Sequence, residues 1–290
     1  MLGVFSKAIY LAVGDALITI ASPDAGNVPY GMLVSGEKAG TLARLQPEMA
    51  AVVRPGRITF PDVRLAVDFS RANRWSAELT VPAGAGWIPP TNLAKLRSAL
   101  RRGRSGAEGL ASIGDHLLRL PDTRGPGRLN LCCRTAVPVL FRATDLWKRG
   151  HLAEWPSEMQ KLLGLGPGLT PSGDDFMIGT LGVLWLASTV DRRDSAAFRK
   201  LAGDMGRWDH DATTPFGAFF VRQASLGRFP EGLQDLLVSL VSEDAQAPPR
   251  AARQLFGLGA TSGRDMAAGV AFGAYLIPQR DGPAPWSRRA

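Results

Sequence analysis

Cysteine and histidine are scarce in this chain. Its 290 residues include two cysteines, the adjacent Cys132 and Cys133, and three widely separated histidines. Neighbouring cysteines rarely bridge each other, so a disulfide framework is excluded and a reducing cytoplasm is the expected location. The sequence contains no C-x-x-C pair and no H-E-x-x-H motif. We therefore expect no zinc site and no other resident metal held by such motifs.

Long apolar runs are also missing. The longest nearly apolar stretch, residues 176–190, has fifteen residues and is closed by the charged segment 191–194. A membrane-spanning helix needs roughly 18 or more apolar residues, so a buried helix is the expected structure. The first residues show no basic segment before an apolar one, so no signal peptide is expected. We predict a soluble protein that makes no contact with a membrane.

Lysine is rare, although the chain is basic. Six lysines stand against 28 arginines, and the net charge is +8. A basic chain can meet nucleic acid or small anionic substrates. The densest arginine cluster, residues 97–104, has no interleaved aromatic residues of the kind that stack on bases. Compositional bias explains much of the arginine excess, and we predict a small anionic partner and no nucleic acid.

The pattern of short apolar segments predicts an α+β fold in two domains. Residues 8–21 alternate around a Gly-Asp turn, and residues 57–60 and 65–69 resemble further short strands. A β-rich sandwich or barrel is expected over residues 1–88, because a glycine- and proline-rich segment follows it. A mainly helical domain is expected over 89–277. The tail, residues 278–290, is rich in proline, arginine and glycine and is expected to be disordered.

Capping residues and apolar periodicity predict the helices of the second domain. Thr91 or Asn92 is expected to cap a helix that ends near Gly103, and Ser157 is expected to cap another. Residues 129–142 alternate weakly and fit a strand or a helix. The other helices are predicted over residues 107–120, 158–163, 195–207, 216–225 and 230–241.

The most distinctive stretch is Gly164-Leu-Gly-Pro-Gly-Leu-Thr-Pro-Ser-Gly-Asp-Asp175, which precedes the apolar run. Its glycines tolerate positive φ and its prolines remove donors, so it is a loop. Ser172 is a suitable N-cap, and Asp174 and Asp175 suit the positive end of a helix dipole. The stretch therefore predicts a glycine-rich loop that leads into a buried helix, where free amides can hold an anion.

A second copy of this loop-helix unit occurs at residues 255–277. Aligned on Ser-Gly, Ser172 matches Ser262 and Asp175 matches Asp265, and both copies carry Gly-Leu-Gly upstream. The first copy has three additional residues before Ser-Gly. Arg264 stands where the first copy has Asp174, so the copies differ in charge. The chain is therefore expected to place two helix N-termini side by side.

Two interpretations of the duplicated unit remain open. In the first, serine caps each helix, aspartate stabilises its start and glycine permits close packing. In the second, both N-termini converge on one anion, together with the hydroxyl groups of the loops. Thr213 and Thr214 form a third possible contribution, although adjacent threonines before a helix usually serve as a cap. The neighbouring segment 209–211, Asp-His-Asp, fits a solvated turn, a metal ligand or a proton carrier.

The central motif departs from the standard nucleotide and nucleophile motifs. No lysine follows Gly173 as a Walker loop requires, and no Gly-x-Ser-x-Gly elbow is present. No catalytic residue is predicted. The predicted ligand-binding residues come from the two loops and the threonine pair: Gly166, Gly168, Thr170, Ser172, Gly173, Asp174, Asp175, Thr213, Thr214, Thr261, Ser262, Gly263, Arg264 and Asp265.

Together, the long glycine-rich motif, the threonine pair and the second motif, Gly-Ala-Thr-Ser-Gly-Arg-Asp at 259–265, resemble the AllH-like family. This was long a domain family of unknown function, and one branch is a subunit of bacterial oxamate carbamoyltransferase in anaerobic allantoin catabolism. The loop at residues 27–31 is similar to the N-terminal region of that family. The resemblance extends over roughly residues 5–277.

The resemblance implies a role in moving a carbamoyl group between oxalurate and phosphate. It also implies a hetero-oligomer with acyl-CoA-synthetase-like partner subunits, and it assigns no catalytic residue. Oxalurate, phosphate and carbamoyl phosphate are all small anions, which fits a basic chain with glycine-rich helix starts. Mg²⁺ is a possible companion of a phosphate ligand. The alternative is a non-catalytic assembly or regulatory subunit whose glycine-rich helices make structural contacts.

Overall fold

The computed structural model describes residues 3–5, 8–14, 16–34, 44–102, 109–113, 129–191, 195–208 and 210–279. Its contacts divide the chain into two compact units, Met1–Ala77 and Glu78–Ala290. Strands lie in the first unit and the second is mainly helical. The predicted α+β fold is therefore confirmed.

Short strands form two sheets in the first unit. One sheet contains, in spatial order, β1 (Gly3–Val4), β2 (Ala8–Val13), β3 (Ala16–Ala21) and β4 (Gly31–Leu33). β4 runs parallel to β3, whereas the other neighbouring strands are antiparallel. The second sheet contains β5 (Val52–Arg54), β6 (Arg57–Phe60) and β7 (Leu65–Asp68), all antiparallel.

Alternating side chains of the two sheets form one hydrophobic core in this unit. Ile9 and Leu11 of β2 and Ile20 of β3 are buried together with Ile58 and Phe60 of β6. Successive side chains of a strand point to opposite faces, which explains the alternation of buried residues in β2 and β6. The hairpin predicted over residues 8–21 is confirmed by β2 and β3.

Nine α-helices lie in the described part of the second unit. They are α1 (Pro90–Arg102), α2 (Leu131–Lys148), α3 (Trp155–Gln160), α4 (Ser172–Val190), α5 (Ser195–Met205), α6 (Pro215–Ser225), α7 (Glu231–Leu240), α8 (Ala247–Leu255) and α9 (Ser262–Leu276). α4 is apolar around most of its circumference, which is typical of a central helix. It contacts α5, α6, α7 and α9. None of the described helices is long and apolar enough to cross a membrane.

α4 and α9 pack backbone against backbone. A Cβ atom on Gly179 of α4 would overlap the carbonyl oxygen of Met266, and one on Gly269 of α9 would overlap that of Phe176. The rings of Phe176 and Phe272 lie beside this contact, with their centroids 5.5 Å apart. The two glycines therefore set the distance between the helices. The contact is reciprocal, because a glycine of each helix faces a backbone carbonyl of the other.

Several predictions about helix ends are wrong. Ser172 does not cap α4: Pro171 occupies the capping position, and no side-chain bond caps the helix. Ser262 is likewise the first residue of α9 and not its cap. Ser157 lies inside α3. Asn92 lies inside α1, where its side-chain amide donates to the carbonyl groups of Leu240 and Ser242, 3.0 Å from each.

The structure decides one ambiguous secondary-structure prediction, and two other predicted segments lie largely outside the described residues. Residues 131–148 form a helix, so the ambiguity over 129–142 is resolved in favour of a helix. Residues 75–81 include an isolated antiparallel β-bridge between Glu78 and Arg228. The helix predicted over 107–120 lies largely outside the described residues, as does the tail from residue 280 onward.

The helix contact predicts opposite effects for two glycine-to-alanine substitutions. Gly179→Ala places a methyl group into the Met266 carbonyl, and we expect it to lower the free energy of unfolding by about 3 kcal/mol or more. Gly203→Ala in α5 meets no atom within 4 Å, and we expect it to raise that free energy by about 0.5–1 kcal/mol. Urea denaturation followed by circular dichroism measures both. Equal effects of the two substitutions would contradict the close contact.

Candidate functional site

The loop before α4 depends on glycines with left-handed backbone conformations. Gly164, Gly166 and Gly168 have φ angles of +70°, +109° and +104°. The amide of Gly164 donates to Asp174 Oδ1 at 2.8 Å, which ties the loop to the first turn of the helix. Since other residues rarely adopt such angles, the glycine spacing specifies this loop.

The loop before α9 enters its helix through corresponding contacts. The amide of Gly173 donates to the carbonyl of Leu165 at 2.8 Å, and the amide of Gly263 donates to that of Leu258 at 3.0 Å. Gly259 has a φ angle of +63° and packs against Ser262, as Gly166 packs against Ser172.

Hydroxyl groups from the two loops meet directly. Thr170 Oγ1 lies 3.1 Å from Ser262 Oγ, although the two residues are 92 positions apart. Both residues are partly exposed, and Gly168 and Gly259, which lie in the same two loops, are exposed. The structure thus brings the two loops together at a polar surface that solvent can reach.

A third helix start joins the same loop. The hydroxyl of Thr213 donates to Asp174 Oδ2. The hydroxyl of Thr214 donates to the carbonyl of Leu169 and accepts from the amide of Gly217 at 3.0 Å, so Thr214 caps α6. The N-termini of α4, α6 and α9 therefore converge around residues 164–171, and the proposed capping role of the threonine pair holds for Thr214.

Most amides of the first helical turns are already bonded. The amides of Asp174 and Asp175 donate to the carbonyl of Pro171, and those of Arg264 and Asp265 donate to that of Thr261. Among the described residues, the amides of Gly166 and Gly168 in the loop meet no acceptor, and neither do those of Ser172 and Ser262 at the helix starts. One first-turn amide in each helix therefore remains a free donor, and the loop adds two more.

Three buried carboxyl groups lie beneath the loops. Asp174, Asp175 and Asp265 are each 0 % exposed. Burial raises the pKa of Asp174, against the opposing effects of Thr213 and the Gly164 amide. Burial also raises the pKa of Asp175 well above its ordinary value, and the neighbouring carboxyls of Asp265 and Asp174 raise it further.

Asp265 is held by a segment that follows α1. Its Oδ1 atom accepts from the amides of Leu110 at 2.6 Å and Ala111 at 2.9 Å. Burial raises the pKa of Asp265 to about 6, although the Ser172 hydroxyl and the Leu110 amide oppose the rise. The sequence analysis missed this contribution. Gly109 is the signal that marks it: its φ angle is +92°, and a Cβ atom there would stand 2.8 Å from both carboxyl oxygens of Asp265.

Three buried polar atoms in this cluster lack a hydrogen-bond partner among the described residues: Ser172 Oγ, Asp175 Oδ1 and Asp265 Oδ2. Ser172 lies near enough to Asp265 to lower its pKa, but its hydroxyl meets no acceptor in hydrogen-bonding geometry. The other oxygen of Asp175 accepts from Thr170 at 3.2 Å. The cluster is therefore only partly satisfied by the chain.

Arg264 lies at the edge of the site. Its guanidinium carbon is 4.5 Å from the centroid of the Phe256 ring, a cation–π contact. Asp209 and the side chain of His210 lie outside the described residues. Over the part of the chain that is described, no group of three or more histidine, cysteine, aspartate or glutamate side chains can hold a metal ion.

The buried Asp265 predicts a particular pH dependence of stability. With its pKa raised to about 6, the folded chain binds more protons than the unfolded chain between about pH 4 and 6, so stability falls as pH rises through that window. Asn keeps an oxygen for the Leu110 and Ala111 amides and does not titrate. We therefore expect Asp265→Asn to gain about 2 kcal/mol relative to the native sequence between pH 4.5 and 7.5.

Denaturant titrations at both pH values measure this difference. Asp145→Asn is a suitable control, because Asp145 lies in an exposed ion pair with Arg149 on α2. A pH-independent difference between Asp265→Asn and the native chain would show that the Asp265 carboxyl has the same pKa in the folded and unfolded states.

Comparison with known proteins places this site within one family. The family model described as oxamate carbamoyltransferase subunit AllH matches residues 162–274. This range begins at the glycine-rich loop, includes the threonine pair and ends within α9, so it contains most of the contacts described above. No solved structure matches the chain. The chain therefore carries, over residues 162–274, the domain of the oxamate carbamoyltransferase subunit family AllH, as its motifs predicted.

Proposed function

We propose that this chain is a carbamoyltransferase-type subunit that binds a small oxyanion at the surface between the loops preceding α4 and α9. The observation that carries the proposal is the contact between Thr170 and Ser262, whose hydroxyls lie 3.1 Å apart. Two hydroxyl donors from separate loops are thus held at one point that solvent reaches. The family match supports the carbamoyltransferase assignment.

Most donors for the anion come from the loops, because most amides of the first helical turns are already bonded. Gly166 is partly exposed and Gly168 is exposed, and both precede Thr170 in the loop. The positive ends of three helices point toward the same region, and a helix end attracts anions through its dipole. Arg264 lies beside the second loop and adds a full positive charge. Together these groups favour a compact anion with several oxygens.

Oxalurate and phosphate are the substrates that we propose for this surface. In the reaction, a phosphate oxygen forms a bond with the carbamoyl carbon, the bond from that carbon to the oxamate nitrogen breaks, and the nitrogen takes a proton. Negative charge develops on the carbamoyl oxygen during the attack. Preorganised hydroxyl and amide donors stabilise such charge because they need no reorganisation. That Mg²⁺ accompanies the phosphate stays a prediction.

The alternative is a non-catalytic assembly subunit whose glycine-rich helices contact other subunits. Gly179 and Gly269 are used in the contact between α4 and α9, and both residues are buried inside the unit. Their packing is therefore internal to the chain. This observation favours the anion-binding proposal over an interface built from these two glycines.

A binding experiment tests the anion site. Calorimetric titration of the native chain with phosphate, carbamoyl phosphate and oxalurate is expected to show binding of at least one of them. Thr170→Val removes one hydroxyl donor, and a hydrogen bond to a charged group contributes about 1.5–3 kcal/mol, so affinity should fall roughly 10- to 100-fold.

Thr189→Val is the matched control, because Thr189 lies exposed at the far end of α4 and bonds only its own helix. It should leave affinity unchanged. Absence of binding for all three ligands, or equal losses in both variants, would overturn the proposed site.

The family name describes a subunit, and we propose that the partners are acyl-CoA-synthetase-like chains. Co-expression followed by size-exclusion chromatography with light scattering should yield a hetero-oligomer that contains this chain. The Thr170→Val variant should assemble as the native chain does, because its change is confined to the ligand surface. Separate elution of native chain and partners would contradict this assignment of partners.

A further inference from the structure

A line of hydrogen-bonding groups leads from a buried carboxyl to the proposed ligand surface. Thr170 Oγ1 lies 3.2 Å from Asp175 Oδ2 and 3.1 Å from Ser262 Oγ. Asp175 is 0 % exposed, whereas Thr170 and Ser262 are partly exposed. A hydroxyl can both donate and accept, so rotation of two hydroxyls links the interior to the surface.

Whether the Asp175 carboxyl is protonated decides the direction in which the hydroxyls of this line donate. An ionised Asp175 can only accept, so it draws the Thr170 hydroxyl inward, and the Ser262 hydroxyl donates to Thr170 or to Asp175 itself. Both O–H bonds then point away from the surface. A neutral Asp175 donates to Thr170, Thr170 donates to Ser262, and the Ser262 O–H is free to point outward. Only the second arrangement offers a donor to a bound anion.

The surroundings of Asp175 favour the neutral acid. Its Oδ1 atom has no partner among the described residues. The charged groups that act on it are Asp174 from its own helix and Asp265 from α9, and both are carboxyls. Arg264 is directed onto the Phe256 ring. A buried carboxylate that has an unpaired oxygen and faces no cation among the described residues is costly in free energy. Its burial therefore raises the pKa of Asp175.

We propose that Asp175 is a positioning residue that must be neutral when an oxyanion is bound. At a pH at which Asp175 is ionised in the free chain, binding takes up one proton, which turns the Thr170 hydroxyl toward Ser262 and the Ser262 hydroxyl toward the ligand. The inference rests on the proposed function, because it requires an oxyanion at the loop surface. The proton comes from the solvent, and no covalent bond of the chain changes apart from the new O–H bond. Binding of the negatively charged ligand is therefore coupled to the uptake of one proton by the chain.

The second loop-helix unit holds its carboxyl differently. Asp265 accepts from the amides of Leu110 and Ala111 through one oxygen. The hydroxyls of the buried Ser172 and the partly exposed Thr261 also lower its pKa. Because the Asp265 carboxyl raises the pKa of Asp175, a carboxyl outside this cluster is the suitable control.

Titration calorimetry with inorganic sulfate tests the proposal. Sulfate keeps one charge state over the accessible pH range, so any proton taken up comes to the protein. Measurements in buffers of different ionisation enthalpy, from mildly acidic to mildly alkaline pH, give the number of protons per sulfate. We expect uptake that approaches one proton, and an affinity that falls by up to about tenfold per pH unit once Asp175 ionises.

Three variants separate the contributions. Asp175→Asn can donate to Thr170 without titrating, so sulfate should bind without proton uptake and with little dependence on pH. Thr170→Val interrupts the line at a partly exposed residue, and it should also abolish the uptake, which keeps the test decisive if Asp175→Asn does not fold. Asp145→Asn, in an exposed ion pair with Arg149 on α2, should keep both the uptake and the pH dependence. Circular dichroism verifies the fold of each variant.

The outcomes distinguish this inference from the function on which it rests. Sulfate binding to the native chain without proton uptake, or unchanged uptake in Asp175→Asn, overturns the role of Asp175 and leaves the anion site standing. Binding of phosphate without binding of sulfate also overturns the role of Asp175 and leaves the anion site standing, because a donor that points outward should bind both ions. Failure of both anions to bind at any pH overturns the proposed function itself.

Discussion

The positions of the functional groups depend on one contact, in which the backbone of α4 touches the backbone of α9. Gly179 and Gly269 each face a carbonyl of the opposite helix. A glycine inside a helix costs up to about 1 kcal/mol relative to alanine, so the close approach must return more than this through packing. Because the contact is reciprocal, the two helices begin at the same level, and their preceding loops meet at Thr170 and Ser262.

Convergent helix starts normally leave several amide donors unsatisfied, and here the chain satisfies most of them itself. Pro171 and Thr261 accept two amides each, and the amides of Gly173 and Gly263 donate to the carbonyls of Leu165 and Leu258. The surface is therefore not a set of bare helix amides. Its donors are mainly loop hydroxyls and the amides of Gly166 and Gly168, whose positions follow from left-handed glycine conformations. A change in loop length would move these donors without disturbing the helices.

Local patterns in the sequence predicted a large part of this arrangement. Alternation identified the β2–β3 hairpin, and the two Ser-Gly motifs located both helix starts. The assignment of Ser172 as a cap failed because Pro171, with φ −52° and ψ 148°, already takes the capping position. The amides of Leu110 and Ala111 were not predicted, because they lie more than 150 residues before Asp265. No local pattern encodes a partner at that separation; only the fold creates it.

The three buried carboxyls differ in what their burial achieves. Asp174 joins the loop to α6 through Gly164 and Thr213, and Asp265 holds two amides of a distant segment, so each connects segments that are separate in the sequence. Asp175 accepts one hydroxyl at hydrogen-bonding distance and has one oxygen with no partner among the described residues. A helix start gains little from so poorly satisfied a group, since an exposed carboxylate would compensate the dipole at lower cost. Stability therefore accounts for Asp174 and Asp265 but not for Asp175, whose hydrogen bond to Thr170 leads to the surface where the loops meet.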